Sequence, residues 1–337
     1  MKVVTSRHPR LRPAGGVNGV IRSHKHLKKL SKKVGLVEWF HFEDFQGADG
    51  ALEVLTRLGV QHLRTAVSWA DFHRDGGKQW YDWLFSNLRK RELEILPNFL
   101  YTPPSLGRIP YTSSAPIRLR DYADFLDLAI TRYGDCFDYV ELWNEPTNWV
   151  EWDRATDPEW ALLAEMLGTA AYWAHERGKK TVLGGLVPVN VSFLVQMERF
   201  GALRHFDVVG IHGFPGTWEG KEEPGAERWR GWDEEIDLAQ RLLARLGRRP
   251  ELWITEAGSS TAHQPPETQI GRFRKAYALP VERLYWYGVR DLDPRRPTIN
   301  RVNLGETADE NPHHYHLGLV GKPLHGFLRA NRHVFST

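Results

Sequence analysis

A chain of 337 residues with 41% hydrophobic and 26% charged residues has the composition of an ordinary folded protein, and its single cysteine, Cys136, excludes an intrachain disulfide. The formal net charge is only +3, and residues 1–33 carry ten basic residues, Lys2 and Arg7 through Lys33, with no acid; the remainder is net acidic, so no nucleic-acid surface is expected on it. No run of about 18 apolar residues predicts a spanning helix, and the basic N-terminal segment lacks the apolar stretch of a secretory signal, so a soluble, cytoplasmic protein without membrane contact is expected.

Residues 1–33 read as a basic N-terminal extension, solvated or partly disordered. From residue 34 a strand–helix alternation begins and continues to the end, making 34–337 one unit. Val34–Trp39 is a short apolar strand, and the stretch from Ala48 to Leu58 is helical, with apolar Leu52, Leu55 and Leu58 and a terminating Gly59. His62–Trp69 is the second strand and Trp80–Arg91 its helix. Glu94–Leu100 is the third strand despite Pro97, which lacks a ladder donor. Asp121–Tyr133 is an amphipathic helix ending at Gly134, and Asp138–Trp143 is the fourth strand.

The second half repeats the scheme. Pro158–Arg177 is a helix, with Asp157 as N-cap and proline at the first helical position. Thr181–Leu186 is a strand, Val191–Phe200 a helix and Phe206–His212 a strand. A Trp- and Gly-bearing loop precedes the helix Asp233–Leu246. Leu252–Glu256 is the seventh strand with helix Glu267–Leu279, and Arg283–Tyr287 is the eighth, followed by helix Pro323–His333. Eight such units predict a single (β/α)8 TIM barrel of the α/β class. An open doubly wound sheet would carry a Gly-rich phosphate loop after its first strand, where Glu38-Trp39-Phe40-His41 stands instead.

In a barrel the strand-terminal polar and aromatic residues converge on one face. Here they are Trp39, His41, Arg64, Ser68, Trp69, Tyr101, Asn144, Glu145, His212, Glu256 and Trp286. Two strands end alike: Val140-Glu141-Leu142-Trp143-Asn144-Glu145-Pro146 and Leu252-Trp253-Ile254-Thr255-Glu256-Ala257-Gly258. Two carboxyls in one water-poor cleft cannot both ionise cheaply, so one donates a proton while the other attacks or stabilises positive charge. Glycosidic-bond hydrolysis needs that division. The 14 Trp residues add flat apolar faces of the kind sugar rings stack on, in loops at Trp149, Trp152, Trp160, Trp218, Trp229 and Trp232. His313-His314-Tyr315-His316 has neither helix-face nor zinc-ligand spacing, so no metal and no cofactor is expected.

Trp143-Asn144-Glu145-Pro146 resembles the fourth-strand signature of the clan A glycoside hydrolases, and Trp253-Ile254-Thr255-Glu256-Ala257-Gly258 resembles their seventh-strand motif. Arg64 in Arg64-Thr65-Ala66-Val67-Ser68-Trp69 and Trp286 are similar to that clan's second-strand arginine and eighth-strand aromatic. The likeness spans residues 34 to about 335 and touches both the cellulase-like and β-xylosidase-like branches. It implies retaining hydrolysis of a β-glycoside or oligosaccharide, with Glu145 as acid/base, Glu256 as nucleophile and Asn144 on the sugar 2-hydroxyl. It also implies that Arg64 holds Glu256 ionised and that Trp286 lies beneath the sugar. His41, Trp39, Tyr101, Trp69 and His212 complete the expected substrate-binding set. One departure stands out: His212-Gly213-Phe214 lacks the tyrosine that many members carry there, leaving Tyr101, Tyr285 or Tyr287 to replace it. A barrel that binds carbohydrate without turnover, and a transglycosylase or polysaccharide-trimming enzyme, are the alternative readings. The oligomeric state is open.

Overall fold

A computed structural model of the chain describes residues 31–217, 228–295 and 307–336. The basic extension as far as residue 30, and Trp218, lie outside the described residues. Eight parallel strands close into a barrel in chain order: β1 (Lys33–Val37), β2 (His62–Ser68), β3 (Glu94–Leu100), β4 (Tyr139–Leu142), β5 (Lys180–Leu186), β6 (Val208–Gly213), β7 (Glu251–Ala257) and β8 (Arg283–Tyr287). β8 closes on β1 from the pair Lys33 and Arg283 to the pair Val37 and Tyr287. The outer helices are α1 (Phe45–Leu58), α2 (Trp69–Phe72), α3 (Gly77–Lys90), α4 (Arg120–Tyr133), α5 (Ala161–Glu176), α6 (Val191–Arg199), α7 (Trp232–Arg245), α8 (Thr268–Ala278), α9 (Pro312–Tyr315) and α10 (Pro323–Ala330). Among the described residues no helix is long and apolar enough to cross a membrane.

Side-chain alternation along the strands builds two apolar layers. Val37, Leu96, Val182, Val208, Trp253 and Tyr285 form a cluster of their own. Their sequence neighbours Leu36, Ile95, Leu183, Val209, Ile254 and Leu284 belong to the cluster shared with the helices, which makes the first set the barrel interior. At the strand starts Glu94 accepts from Lys33 Nζ (2.8 Å) and Arg283 Nη1 (2.6 Å). The Arg283 guanidinium lies 4.2 Å above the Trp253 ring. This charge cluster and aromatic plug close the end of the barrel opposite the strand C-termini.

Several local readings differ from expectation for identifiable reasons. β4 stops at Leu142 because Trp143 takes φ 65°, in the left-handed region that ends pairing. Pro97 is accommodated inside β3 because the ladder to β4 begins only at Asn98. Helix α5 starts at Ala161, not at Pro158, since Trp160 sits at φ 56°. Asp157 still serves that helix, from outside it: its carboxylate accepts from the N–H groups of Leu162 (3.2 Å) and Leu163 (3.0 Å) and from Trp152 Nε1 (3.2 Å).

Two strands carry an extra residue, and both extras shape the strand C-terminal face. In β7, Ile254 pairs with Ile211 and Glu256 with His212, so Thr255 is the inserted residue of a bulge. Counting from inward-facing Trp253, regular alternation would turn Glu256 toward the helices. The bulge turns it into the barrel. In β5, Leu183 pairs with Val209 and Leu186 with Ile211, which places the extra residue at Gly184-Gly185. A Cβ on Gly184 would stand 1.9 Å from the Trp143 carbonyl oxygen, and one on Gly185 1.9 Å from His212 Nε2. Only glycine lets β5 approach both groups.

The Asp157 carboxylate joins a helix terminus to a buried indole. Asp157→Ala should therefore destabilise the protein by about 2–3 kcal/mol, one lost cap plus one buried donor left unpaired. Urea unfolding of the two proteins measures it.

Candidate active site

The site is built on Arg64, whose side chain from β2 is fully enclosed at 0% exposure. A buried guanidinium is tolerated only if its donors and charge are matched. Nε donates to Glu141 of β4, Nη1 to Glu256 at the end of β7, and Nη2 to Asn144 Oδ1 at 2.9 Å. Three strands are tied through one cation. The carboxylates in turn hold the guanidinium above its ordinary pKa against the opposing effect of burial.

Glu145 enters from the turn after β4, at φ 40°. Non-glycine residues at Trp143 and Glu145 in this conformation need external support. The Trp143 carbonyl accepts from Asn98 Nδ2 (2.7 Å), its N–H donates to Phe99 O (2.8 Å), and its indole donates to Glu151 O (2.9 Å). The Glu145 carboxylate meets His212 Nδ1 at 2.8 Å and accepts from Asn148 Nδ2 at 3.0 Å. His212 Nε2 is enclosed and has no hydrogen-bond partner among the described residues. The tautomer with its proton on Nδ1, donating to Glu145, avoids a buried orphan N–H.

A ring nitrogen of His212 and one oxygen each of Glu145 and Glu256 lie within 4.8 Å of one another. This donor set has the composition of a divalent-metal site, yet it already has a counter-cation in Arg64 on Glu256. The two carboxyls respond to their surroundings in opposite senses. Burial alone would raise Glu145, but the hydrogen bond to His212, with Asn148 and Arg64, brings it below the ordinary value. Burial raises Glu256, against the pull of His212 and Arg64, and the Glu145 and Glu141 charges push the same way. The surroundings thus favour the ionised form more strongly at Glu145 than at Glu256.

Arg64, Asn144, Glu145, His212 and Glu256 are brought together from β2, β4, β6 and β7. Trp39 and His41 instead line a cavity of about 480 Å³ with Glu38, Asp44 and Arg290, and none of the five clustered residues is in its lining. Burial pushes the Glu38 carboxyl there up to about 7, against the Val289 N–H and Arg290. Tyr101, at φ 66°, packs edge-on to Trp39 with ring centroids 6.5 Å apart.

Two expected substrate contacts are corrected. Trp286 is fully buried and packs edge-on to Phe273 of α8 at 5.4 Å, because its place in β8 points it outward; its neighbours Tyr285 and Tyr287 point in. Trp69 opens α2 and stacks on Phe125 of α4 at 5.7 Å, in the helix layer. Of the three tyrosines considered for the position after His212, Tyr285 lies at the closed end against Arg283 and Tyr101 donates to Glu151. Tyr287 points into the barrel, and burial, then the Glu256 charge, raise its hydroxyl well above the ordinary value.

Two residues of the site were not singled out from sequence. Glu141 had a signal, a lone acid within an apolar strand at a position of inward parity. Glu151 had none, since it lies in the loop after β4.

No family model matches the chain, and no curated protein matches it in sequence. Solved structures do match it. A family 39 glycoside hydrolase from the gut symbiont Bacteroides cellulosilyticus WH2 superposes with TM-score 0.62 over 90% of this chain and 65% of that one, at 16% identity. A family 1 β-glucosidase from Thermotoga maritima gives 0.60 over 90% and 98%, at 11% identity. A family 30 subfamily 8 xylanase from Clostridium acetobutylicum gives 0.52 over 76% and 64%, at 13% identity. The barrel is the fold of these glycoside hydrolases. The chain thus spans nearly the whole of the family 1 enzyme and just under two thirds of the family 39 one.

Arg64→Met should cost about 3–5 kcal/mol at neutral pH, because Glu141 and Glu256 are left buried without their cation. Burial already raises Glu256 and the substitution removes the cation that opposes this, so the deficit should be largest near pH 7.5 and shrink toward pH 4.5 as Glu256 takes up a proton. Denaturant midpoints at the two pH values check the sign.

Proposed function

We propose that this protein is a retaining β-glycoside hydrolase in which Glu145 is the acid/base and Glu256 the nucleophile. The observation that carries the reading is the carboxyl pair on the strand C-terminal face, one oxygen of each within 4.8 Å, at the ends of β4 and β7. That bound favours the short carboxyl separation associated with a covalent glycosyl intermediate, about 5–5.5 Å, over the about 6.5–9.5 Å of an inverting mechanism. The shared fold with glycoside hydrolases supports the same class.

In the first step a Glu256 oxygen attacks the anomeric carbon, and Glu145 gives its proton to the departing glycosidic oxygen. In the second step Glu145 takes a proton from water as that water attacks the same carbon and releases Glu256. The first step needs the proton on Glu145, and the two carboxyls, close enough to feel each other's charge, titrate as a unit. Once Glu256 is esterified its charge is gone, and the His212 contact leaves Glu145 in the ionised form that the second step needs. The structural neighbours include a β-glucosidase and a xylanase, which makes β-glucosides and β-xylosides the first substrates to try. A carbohydrate-binding barrel without turnover is the rival reading, favoured by the phenol missing after His212; Tyr287, within reach of the Glu256 charge, weighs against it.

Aryl β-glycosides of xylose, glucose, galactose, mannose and arabinose should include at least one that the wild type turns over. Glu256→Ala should lose at least about 10⁴-fold in kcat on it, and azide should restore part of the activity as a glycosyl azide of inverted configuration. Saturable sugar binding with no turnover of any of the five would favour the rival.

Glu145→Ala should lose about 10²–10⁴-fold on glycosides with poor leaving groups and far less on activated aryl glycosides, which depart without a proton. Equal losses across a leaving-group series would remove Glu145 from the acid role.

A further inference from the structure

The site holds a third carboxyl that the two-step chemistry does not use. Glu151 lies in the loop between β4 and α5, and its backbone is fastened on both sides. Its carbonyl accepts from the Trp143 indole (2.9 Å), its N–H donates to Asn148 O (3.0 Å), and the next residue, Trp152, is fully buried with its indole on Asp157. A loop held this way presents the Glu151 side chain in one direction.

That direction is the cleft. Glu151 Oε1 accepts from the Tyr101 hydroxyl at 3.3 Å. Asn144, whose Oδ1 is committed to Arg64, lies against the same carboxyl. A polar chain thus runs from Glu256 through Arg64, Asn144 and Glu151 to Tyr101. Yet Glu151 Oε2 is enclosed and has no hydrogen-bond partner among the described residues. Leaving such an oxygen unpaired is costly, so its presence points to a partner that arrives from outside. The carboxyl stands near Glu145 and Glu256, and after burial their charges raise its pKa well above the ordinary range. A carboxyl in either protonation state can pair with a hydroxyl, which both donates and accepts.

We propose that Glu151 is a specificity-determining residue that hydrogen-bonds a ring hydroxyl of the bound sugar. The proposal rests on the glycosidase reading and on Asn144 taking the 2-hydroxyl. Glu151 stands directly beside Asn144, so the hydroxyl it meets is the neighbouring one on the ring, the 3-hydroxyl. Tyr101 keeps the carboxyl facing it, and Trp39, edge-on to Tyr101, walls the same side.

The test crosses protein variants with deoxy substrates, using the aryl β-glycoside that the wild type turns over best and its 2-deoxy and 3-deoxy analogues. On the parent glycoside, Glu151→Ala should lose about 10- to 100-fold in kcat/KM, the worth of a hydrogen bond to a strong partner. On the 3-deoxy analogue the same substitution should cost no more than about threefold, because the contact is already absent. Glu151→Gln, which keeps size and hydrogen bonding, should fall between wild type and Glu151→Ala, and it serves if the alanine variant fails to fold. Equal losses on all three substrates would show that Glu151 only buttresses the loop, and coupling to the 2-hydroxyl alone would show that it acts through Asn144; either overturns the proposal. If the wild type turns over the glycoside and both variants match it, Glu151 has no part in recognition while the glycosidase reading stands. Absence of turnover by the wild type on every glycoside defeats the glycosidase reading and this proposal with it.

Discussion

A guanidinium buried inside a barrel has to be matched from several sides at once, and the arrangement around Arg64 is the consequence. Its three bonds reach Glu141, Asn144 and Glu256, on or just beyond two strands that are not neighbours in the sheet. Such a network is not a net source of stability, because desolvating the ions costs about as much as their attraction returns. What it supplies is position. Glu256 cannot swing toward bulk water without stranding a charge, and Asn144 cannot flip its amide without losing the guanidinium. The apolar packing of the interior and helix layers is what lets the barrel carry this cluster at its mouth.

The strand order and the two catalytic candidates were legible because each rests on a strong local pattern: an apolar run, a polar terminus and a breaker such as Pro146. Facing was harder to read. Trp286 and Tyr287 both sit at the end of β8, and only parity within the closed sheet decides that the tryptophan meets α8 while the tyrosine meets the cleft. Trp69 failed for a related reason, since the chain turns into α2 there and carries the ring into the helix layer. Asp157 was read correctly as a cap and misplaced by a few residues, because Trp160 delays the helix. Glu151 left no trace in the pattern; tertiary contacts of Trp143 and Trp152 place it.

The abundance of tryptophan also changes meaning once the rings are located. Trp80, Trp143, Trp152, Trp232, Trp253 and Trp286 are among the largest fully buried side chains. Most of the excess fills the wide spaces of a barrel and its helix ring. Two buried indoles hold backbone in place through their N–H groups, Trp143 on the Glu151 carbonyl and Trp160 on the Pro146 carbonyl. Among the described residues, Trp39 at the cavity and the exposed Trp149 after β4 keep part of a ring face open.

The inserted residue in β7 has a consequence for how such a barrel can change over time. Inside and outside are assigned by counting, so the count along each strand is inherited more strictly than the letters. Replacing one aliphatic residue by another leaves every orientation as it was. One further residue inserted between Trp253 and Ile254 would exchange the two faces for everything after it on the strand, turning Glu256 to the helices and Ala257 to the cleft. Drift by substitution is therefore cheap and drift by single-residue insertion is not, which is consistent with a chain that keeps a barrel in common with proteins to which it is only 11–16% identical.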